Sequence, residues 1–187
     1  MTVNPTEVLD LVVKVLNTLD IPHMICGSLA SSVHGLPRAT MDADLVAEIK
    51  PKQAAALVQA LEKECYIDED SVMEAISNRS SFNIIHLASS FKVDVFILRD
   101  NPYSINEFSR RTPQTVAGVP ETSFFVATPE DVILTKLRWY HQGGETSENQ
   151  WSDVAGIIKV QGERLDRKYL KHWASELGLA SLLEKAL

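Results

Sequence analysis

An α/β (α+β) fold, in which a mixed β-sheet is flanked by helices and a helical region closes the chain, is predicted by three features of the sequence. Short β-rich runs alternate with segments of helical periodicity as far as residue 127. One of those runs follows a Gly-Ser pair and carries two aspartates one residue apart, Asp42 and Asp44. From Thr128 onward, cap signals and periodicity give only helices. The expected organisation is therefore a core over residues 1–127 and a helical region over 128–187 packed on it, with no Pro/Gly/Ser-rich linker between them.

Each element has its own signal. Asn4 or Thr6 caps a first helix, Pro5 fits its first turn, and Val8, Leu11, Val12, Val15, Leu16 and Leu19 recur at helical spacing. Asp20 and Pro22 close it. The strand Met24-Ile25-Cys26 turns at Gly27-Ser28 into a short helix over about residues 29–34, which Pro37 ends. Residues 40–49 read as a second strand, and Pro51 opens a helix through Ala55, Val58 and Leu61 to about Glu64. Residues 71–76 suit a short helix or a strand equally. The runs 82–87 and 91–98, joined by Ala88-Ser89-Ser90, form a hairpin. In its second run Lys92, Asp94 and Phe96 share one face, while Val93, Val95 and Ile97 take the other. Residues 103–112 are polar, and Arg110-Arg111 there either touches a substrate phosphate or forms a solvated pair. Thr115-Val116-Ala117 and Phe124-Phe125-Val126-Ala127 suggest another hairpin. Thr128-Pro129-Glu130-Asp131 is a helix start, with Thr as cap, Pro at the first position and acids in the first turn. That helix runs to Gly143-Gly144, and further helices cover about residues 148–160, 166–177 and 179–186.

Composition narrows the class. The 187 residues are 45% hydrophobic and 23% charged, as in soluble globular proteins, and bury a sizeable core. A net charge of −7 disfavours a broad surface for duplex nucleic acid. The basic stretch Arg164, Arg167, Lys168, Lys171 and His172 is interleaved with acids, as in a solvated helix face; its alternative is a guide for an RNA acceptor end. Cys26 and Cys65 have neither metal-site spacing nor a disulfide framework, which fits the cytoplasm. The beginning MTVNPTEVLD has no apolar signal region, and no run reaches transmembrane length, so export and membrane insertion are unsupported.

The stretch richest in chemistry is GSLASSVHGLPRATMDAD, residues 27–44. Carboxylates at i and i+2 of a strand leave the same face a few ångströms apart, and two such anions stay ionised only around a cation. Mg²⁺ is the expected cation, because it prefers oxygen ligands and keeps positions open for water and phosphate. Gly27-Ser28 lies where a strand becomes a helix, so backbone N–H groups there suit a phosphate. Together these features suggest a nucleoside triphosphate held on Mg²⁺.

Gly27-Ser28 followed by Arg38-Ala39-Thr40-Met41-Asp42-Ala43-Asp44 resembles the signature of the DNA polymerase beta-like nucleotidyltransferase superfamily. The Arg-x-Thr-x-Asp-x-Asp form is most similar to its small AbiEii-like bacterial members. The resemblance implies a nucleotidyltransferase-type mixed sheet with a C-terminal helical bundle, and a third carboxylate from a later strand, a position that Asp94 matches. An acid in so apolar a strand must be neutralised. Its neutraliser is either the metal or a salt bridge to Lys92 or Arg99; the resemblance favours the metal. Lys136-Leu137-Arg138-Trp139-Tyr140 and Trp151-Ser152-Asp153-Val154 look like that branch's helical Lys and Asp motifs, although Ser152 stands where a basic residue is more usual. By resemblance, Asp42, Asp44 and Asp94 are catalytic and hold two Mg²⁺ ions, with Mn²⁺ as an alternative, while Gly27, Ser28, Arg38, Thr40, Lys136 and Asp153 bind nucleotide. Asp153 either orients Lys136, meets substrate or caps its own helix. The implied activity is transfer of an NMP from an NTP to a hydroxyl of RNA, protein or a small molecule, in a toxin-type enzyme with an antitoxin-like protein partner. Rival readings are an aminoglycoside-like small-molecule nucleotidyltransferase and a non-catalytic nucleotide-binding partner protein. A Ser-His-Asp hydrolase is a weaker rival, because no nucleophile-elbow pattern is present.

Overall fold

The computed structural model of the chain describes residues 5–115 and 123–187. In chain order the elements are α1 (Pro5–Thr18), β1 (His23–Cys26), α2 (Gly27–His34), β2 (Asp42–Ala47), α3 (Ala54–Leu61), β3 (Cys65–Tyr66), α4 (Glu69–Asn78), β4 (Ser81–His86), β5 (Lys92–Ile97), α5 (Pro102–Arg110), β6 (Thr112–Thr115), β7 (Ser123–Val126), α6 (Pro129–Gln142), α7 (Glu148–Gln161), α8 (Arg167–Glu176) and α9 (Ala180–Ala186). Asn4, one of the two expected caps of the first helix, and Val116 and Ala117 of the expected second hairpin lie outside the described residues.

By the density of their contacts the residues form two compact units: Met1–Ile25 with Thr40–Val126, and Cys26–Ala39 with Ala127–Leu187. The first is built on the sheet, whose strand order is β3-β4-β5-β2-β1-β7-β6. β2 pairs with β5, and β1 with β7, in parallel; β3 with β4, β4 with β5, and β6 with β7 pair antiparallel. The sheet is thus mixed, and the hairpin expected of residues 82–98 is its β4-β5 pair. Alternation along β2 and β5 places Ala43, Leu45 and Ala47 beside Val93, Val95 and Ile97 in the core and leaves the opposite face half-exposed.

Two elements go beyond the sequence reading. The expected polar segment 103–112 overlaps a helix, α5: Asn101 caps it, its Oδ1 accepting from the Ser104 amide (3.0 Å), and Pro102 occupies the first turn. β3 is a two-residue strand, too short to show a period. Residues 71–76 resolve as helix within α4, whose cap is Asp68. Arg111 is not the solvated residue considered above: it is half-buried, with its guanidinium 4.2 Å from the centre of the Phe108 ring, and it donates to the Phe108 carbonyl.

The second unit is helical. Thr128 caps α6 through the Asp131 amide, and Ser147 caps α7 through the Gln150 amide. At the end of α2, His34 Nε2–H donates to the Ala127 carbonyl (2.7 Å), and Gln161 Nε2 donates to the His34 carbonyl (2.6 Å). Burial holds the His34 imidazole below its ordinary pKa, so it sits here as a neutral packing residue. Gly35 follows, against α7: a Cβ there would stand 2.8 Å from the Ile157 amide nitrogen, whereas one on Gly156 would only touch Leu36 at 3.4 Å. Among the described residues no helix is long and apolar enough to cross a membrane.

This close approach generates a paired prediction. Gly35→Ala should destabilise the protein by about 1–3 kcal/mol through overpacking against backbone. Gly156→Ala, which adds an ordinary contact inside a helix, should change stability by under about 1 kcal/mol in either direction. Urea denaturation of both variants checks the difference.

Candidate functional site

β2 and β5 run side by side in parallel, and their register sets Asp42 opposite Lys92 and Asp44 opposite Asp94. Paired residues of adjacent strands point to the same face, so Asp42, Asp44, Lys92 and Asp94 occupy four neighbouring positions on the half-exposed face. Ideal strand geometry sets such positions about 4.8 Å apart across the pair and about 6.6 Å apart along each strand. The three acids singled out in the sequence are thereby brought together.

The lysine at the fourth position sets a positive charge among the three acids. Lys92 Nζ lies 2.7 Å from Asp94 Oδ2, with the lysine side chain 41% exposed and the aspartate 17%. The hydrogen bond to Asp94 raises the Lys92 pKa against the lowering effect of desolvation, and the charges of Asp94, Asp42 and Asp44 add to the rise. Of the two salt-bridge partners considered for Asp94, the structure has Lys92. Asp42 Oδ1 in turn accepts from the Thr40 hydroxyl (2.8 Å), so Thr40 orients a carboxylate directly. On the far side of β5, Asn83 of β4 is in register with Asp94, a polar neighbour that the sequence reading missed.

Three carboxylates at adjacent strand positions supply the hard oxygen donors that Mg²⁺ prefers, so the donor set fits by its chemistry. Its arrangement is not that of a preformed metal cage. Among the described residues no group of three or more His, Cys, Asp or Glu side chains is gathered to hold a metal ion, and Asp94 is turned onto Lys92.

The remaining expected residues, apart from Thr40, lie in the second unit. Gly27 opens α2 at φ 61°, a left-handed conformation that suits glycine at a sharp strand-to-helix bend. The N-cap of α2, Cys26, makes no side-chain capping bond. Ser28 Oγ accepts from Arg38 Nη2 (2.7 Å) and from Lys136 Nζ (3.3 Å). Asp153 receives Arg38 through two bonds, Nε to Oδ1 at 2.9 Å and Nη2 to Oδ2 at 3.1 Å, and pairs with Lys136 at 2.8 Å. Asp153 therefore orients both Lys136 and Arg38, and the cap of its helix falls instead to Ser147. Lys136 is only 1% exposed, so its ammonium is directed into this network. Burial pushes the Asp153 carboxyl up, but the hydrogen bonds and charges of Arg38 and Lys136 outweigh it and hold its pKa below the ordinary value.

No family model matches the chain, and no curated protein matches it. Solved structures do. The solution structure of the antibiotic-resistance factor ANT(2'')-Ia superposes with a TM-score of 0.58 at 11% identity, over 100% of both chains. A crystal structure of ANT(2'')-Ia with adenylyl-2''-tobramycin also gives 0.58, at 12% identity over 91% of this chain and 95% of that one. The fold is of the nucleotidyltransferase type. The lincosamide antibiotic adenylyltransferase LnuA with lincomycin scores 0.52 at 12% identity, over 86% of this chain and 99% of that one. An antigenic nucleotidyltransferase-like protein from Paracoccidioides brasiliensis scores 0.52 at 16% identity, over 97% of this chain and 90% of that one. At such identities the likeness is one of fold.

The Asp153 network carries a test. Removing the acid in Asp153→Ala leaves two cations without their anion and should destabilise the protein by about 3–5 kcal/mol, part of it offset by exposure of Arg38. Because the folded pKa of Asp153 is depressed, its ionic contribution is present above the unfolded value near 3.8 and is lost as pH falls through the folded value. The stability gap between wild type and Asp153→Asn should therefore be widest at neutral pH and narrow below 3.8. Urea titrations across that range check the sign.

Proposed function

We propose that the protein is a metal-dependent nucleotidyltransferase that moves an NMP from an NTP to a hydroxyl acceptor. The observation that carries this reading is the register of β2 with β5, which sets Asp44 beside Asp94 and keeps Asp42 on the same face. The nucleotidyltransferase-type fold supports it.

In the reaction, the acceptor oxygen forms a bond to the α-phosphorus as the bond from that phosphorus to the α–β bridging oxygen breaks, and pyrophosphate leaves. The hydroxyl proton passes to a carboxylate oxygen of the acid face. Mg²⁺, when held by Asp42, Asp44 and Asp94, would neutralise triphosphate charge and lower the pKa of the attacking hydroxyl. Thr40 fixes the Asp42 carboxylate. Within the second unit taken by itself, the Ser28 hydroxyl with Arg38 and Lys136 around it is a polar, positively charged cluster of the kind that suits phosphate oxygens. Positioning and charge neutralisation supply the catalysis, and no protein nucleophile is required.

The acceptor divides the finer readings. ANT(2'')-Ia and LnuA are connected by name with antibiotics, which favours a small hydroxylated acceptor; the Arg-x-Thr-x-Asp-x-Asp sequence favours an AbiEii-like, toxin-type enzyme with an antitoxin-like partner. The acidic total charge of −7 suits a cationic acceptor. Incubating the protein with each labelled NTP, Mg²⁺ or Mn²⁺, and total RNA, total protein or an aminoglycoside and lincosamide panel should label one class and release pyrophosphate. Asp42→Asn and Asp44→Asn should lower transfer by at least about a hundredfold while melting no lower than wild type, because each relieves repulsion between carboxylates. Full transferase activity in either variant would sink the assignment.

A further inference from the structure

We infer that Lys92 is an internal counter-ion of the acid face, one that a divalent metal must displace from Asp94 in order to bind. The inference rests on the nucleotidyltransferase reading of that face and adds a residue that controls its loading. Lys92 opposes Asp42 across the β2-β5 pair, shares its strand face with Asp94 two residues on, and has Asp44 at the diagonal. On its other side the register partner is Ile85, which brings no charge. All three carboxylates therefore act on one ammonium, and it closes on Asp94 at 2.7 Å.

A metal ion and this ammonium compete for the same oxygens. Asp94 Oδ2 cannot hold Lys92 at hydrogen-bond distance and also serve a divalent ion without bringing two cations together. Lys92 has the freedom to leave: its side chain is 41% exposed on a flexible four-carbon stem. The consequence is a site with low affinity for bare metal. Loading is then favoured when a triphosphate arrives with the ion and gives the released ammonium another anion to face.

The experiment measures Mn²⁺ binding without nucleotide, by electron paramagnetic resonance of the free ion, in wild type, Lys92→Met and Lys92→Arg at fixed pH and ionic strength. Lys92→Met should bind Mn²⁺ roughly tenfold more tightly than wild type, since one competing charge has gone. Lys92→Arg, which keeps the charge, should stay close to wild type, and adding Asp94→Asn to Lys92→Met should abolish the gain. Mn²⁺ should also raise the melting temperature of Lys92→Met more than that of wild type, which confirms that the ion binds the folded variant. Equal or weaker binding in Lys92→Met, with wild type binding the ion, overturns the counter-ion role and leaves the transferase reading intact. Absence of Mn²⁺ binding in both folded proteins overturns both.

Discussion

Like charges on adjacent strands are the constraint around which the first unit is arranged. Hydrogen bonding between β2 and β5 fixes the acids next to one another whether or not their charges are compensated, because register follows from the buried alternation of Leu45, Val93 and Val95 on the opposite face. A slip of one residue would drive Asp44 or Asp94 into the core, at a desolvation cost of several kcal/mol in order of magnitude. The hydrophobic face thus enforces the electrostatic tension on the polar one, and Lys92 relieves it at one corner.

The second unit handles charge in the opposite way. There a single carboxylate, Asp153, gathers two cations, and Ser28 receives a hydrogen bond from each of them. The outcome is a triangle of ionic groups around a serine hydroxyl, with Lys136 almost wholly withdrawn from water. Such a network is sensitive to the loss of any member, because a buried charge deprived of its partner is costly, whereas an intact one specifies a unique geometry.

Much of this was legible in the sequence wherever the signal was local. Strand alternation put Asp94 opposite the apolar residues of its own strand, and Thr128-Pro129 announced α6. Asn101-Pro102 carries the same cap-and-proline signature, so α5 is readable in principle. Lys92 was also within reach as the partner of Asp94: two residues apart on a strand share a face, while Arg99, five residues on, falls outside β5 and at odd spacing. The bidentate Arg38–Asp153 pair was not readable, because nothing local links residues 115 positions apart. Nor could a side-chain choice such as Asp94 turning to Lys92 rather than away be read from spacing alone.

The second unit is assembled from two separated stretches, Cys26–Ala39 and Ala127–Leu187, and this bears on the order in which the chain gains structure. Contacts such as Lys136 with Ser28 close a loop of 108 residues, so their entropic cost is met late. During synthesis the Gly-Ser helix leaves the ribosome long before Asp153 does, and Arg38 and Ser28 must wait for partners that lie 115 and 108 residues further along the chain. Cutting the chain ahead of α7 would therefore remove the carboxylate with which Arg38 and Lys136 pair, so that the two separated stretches of this unit mature together.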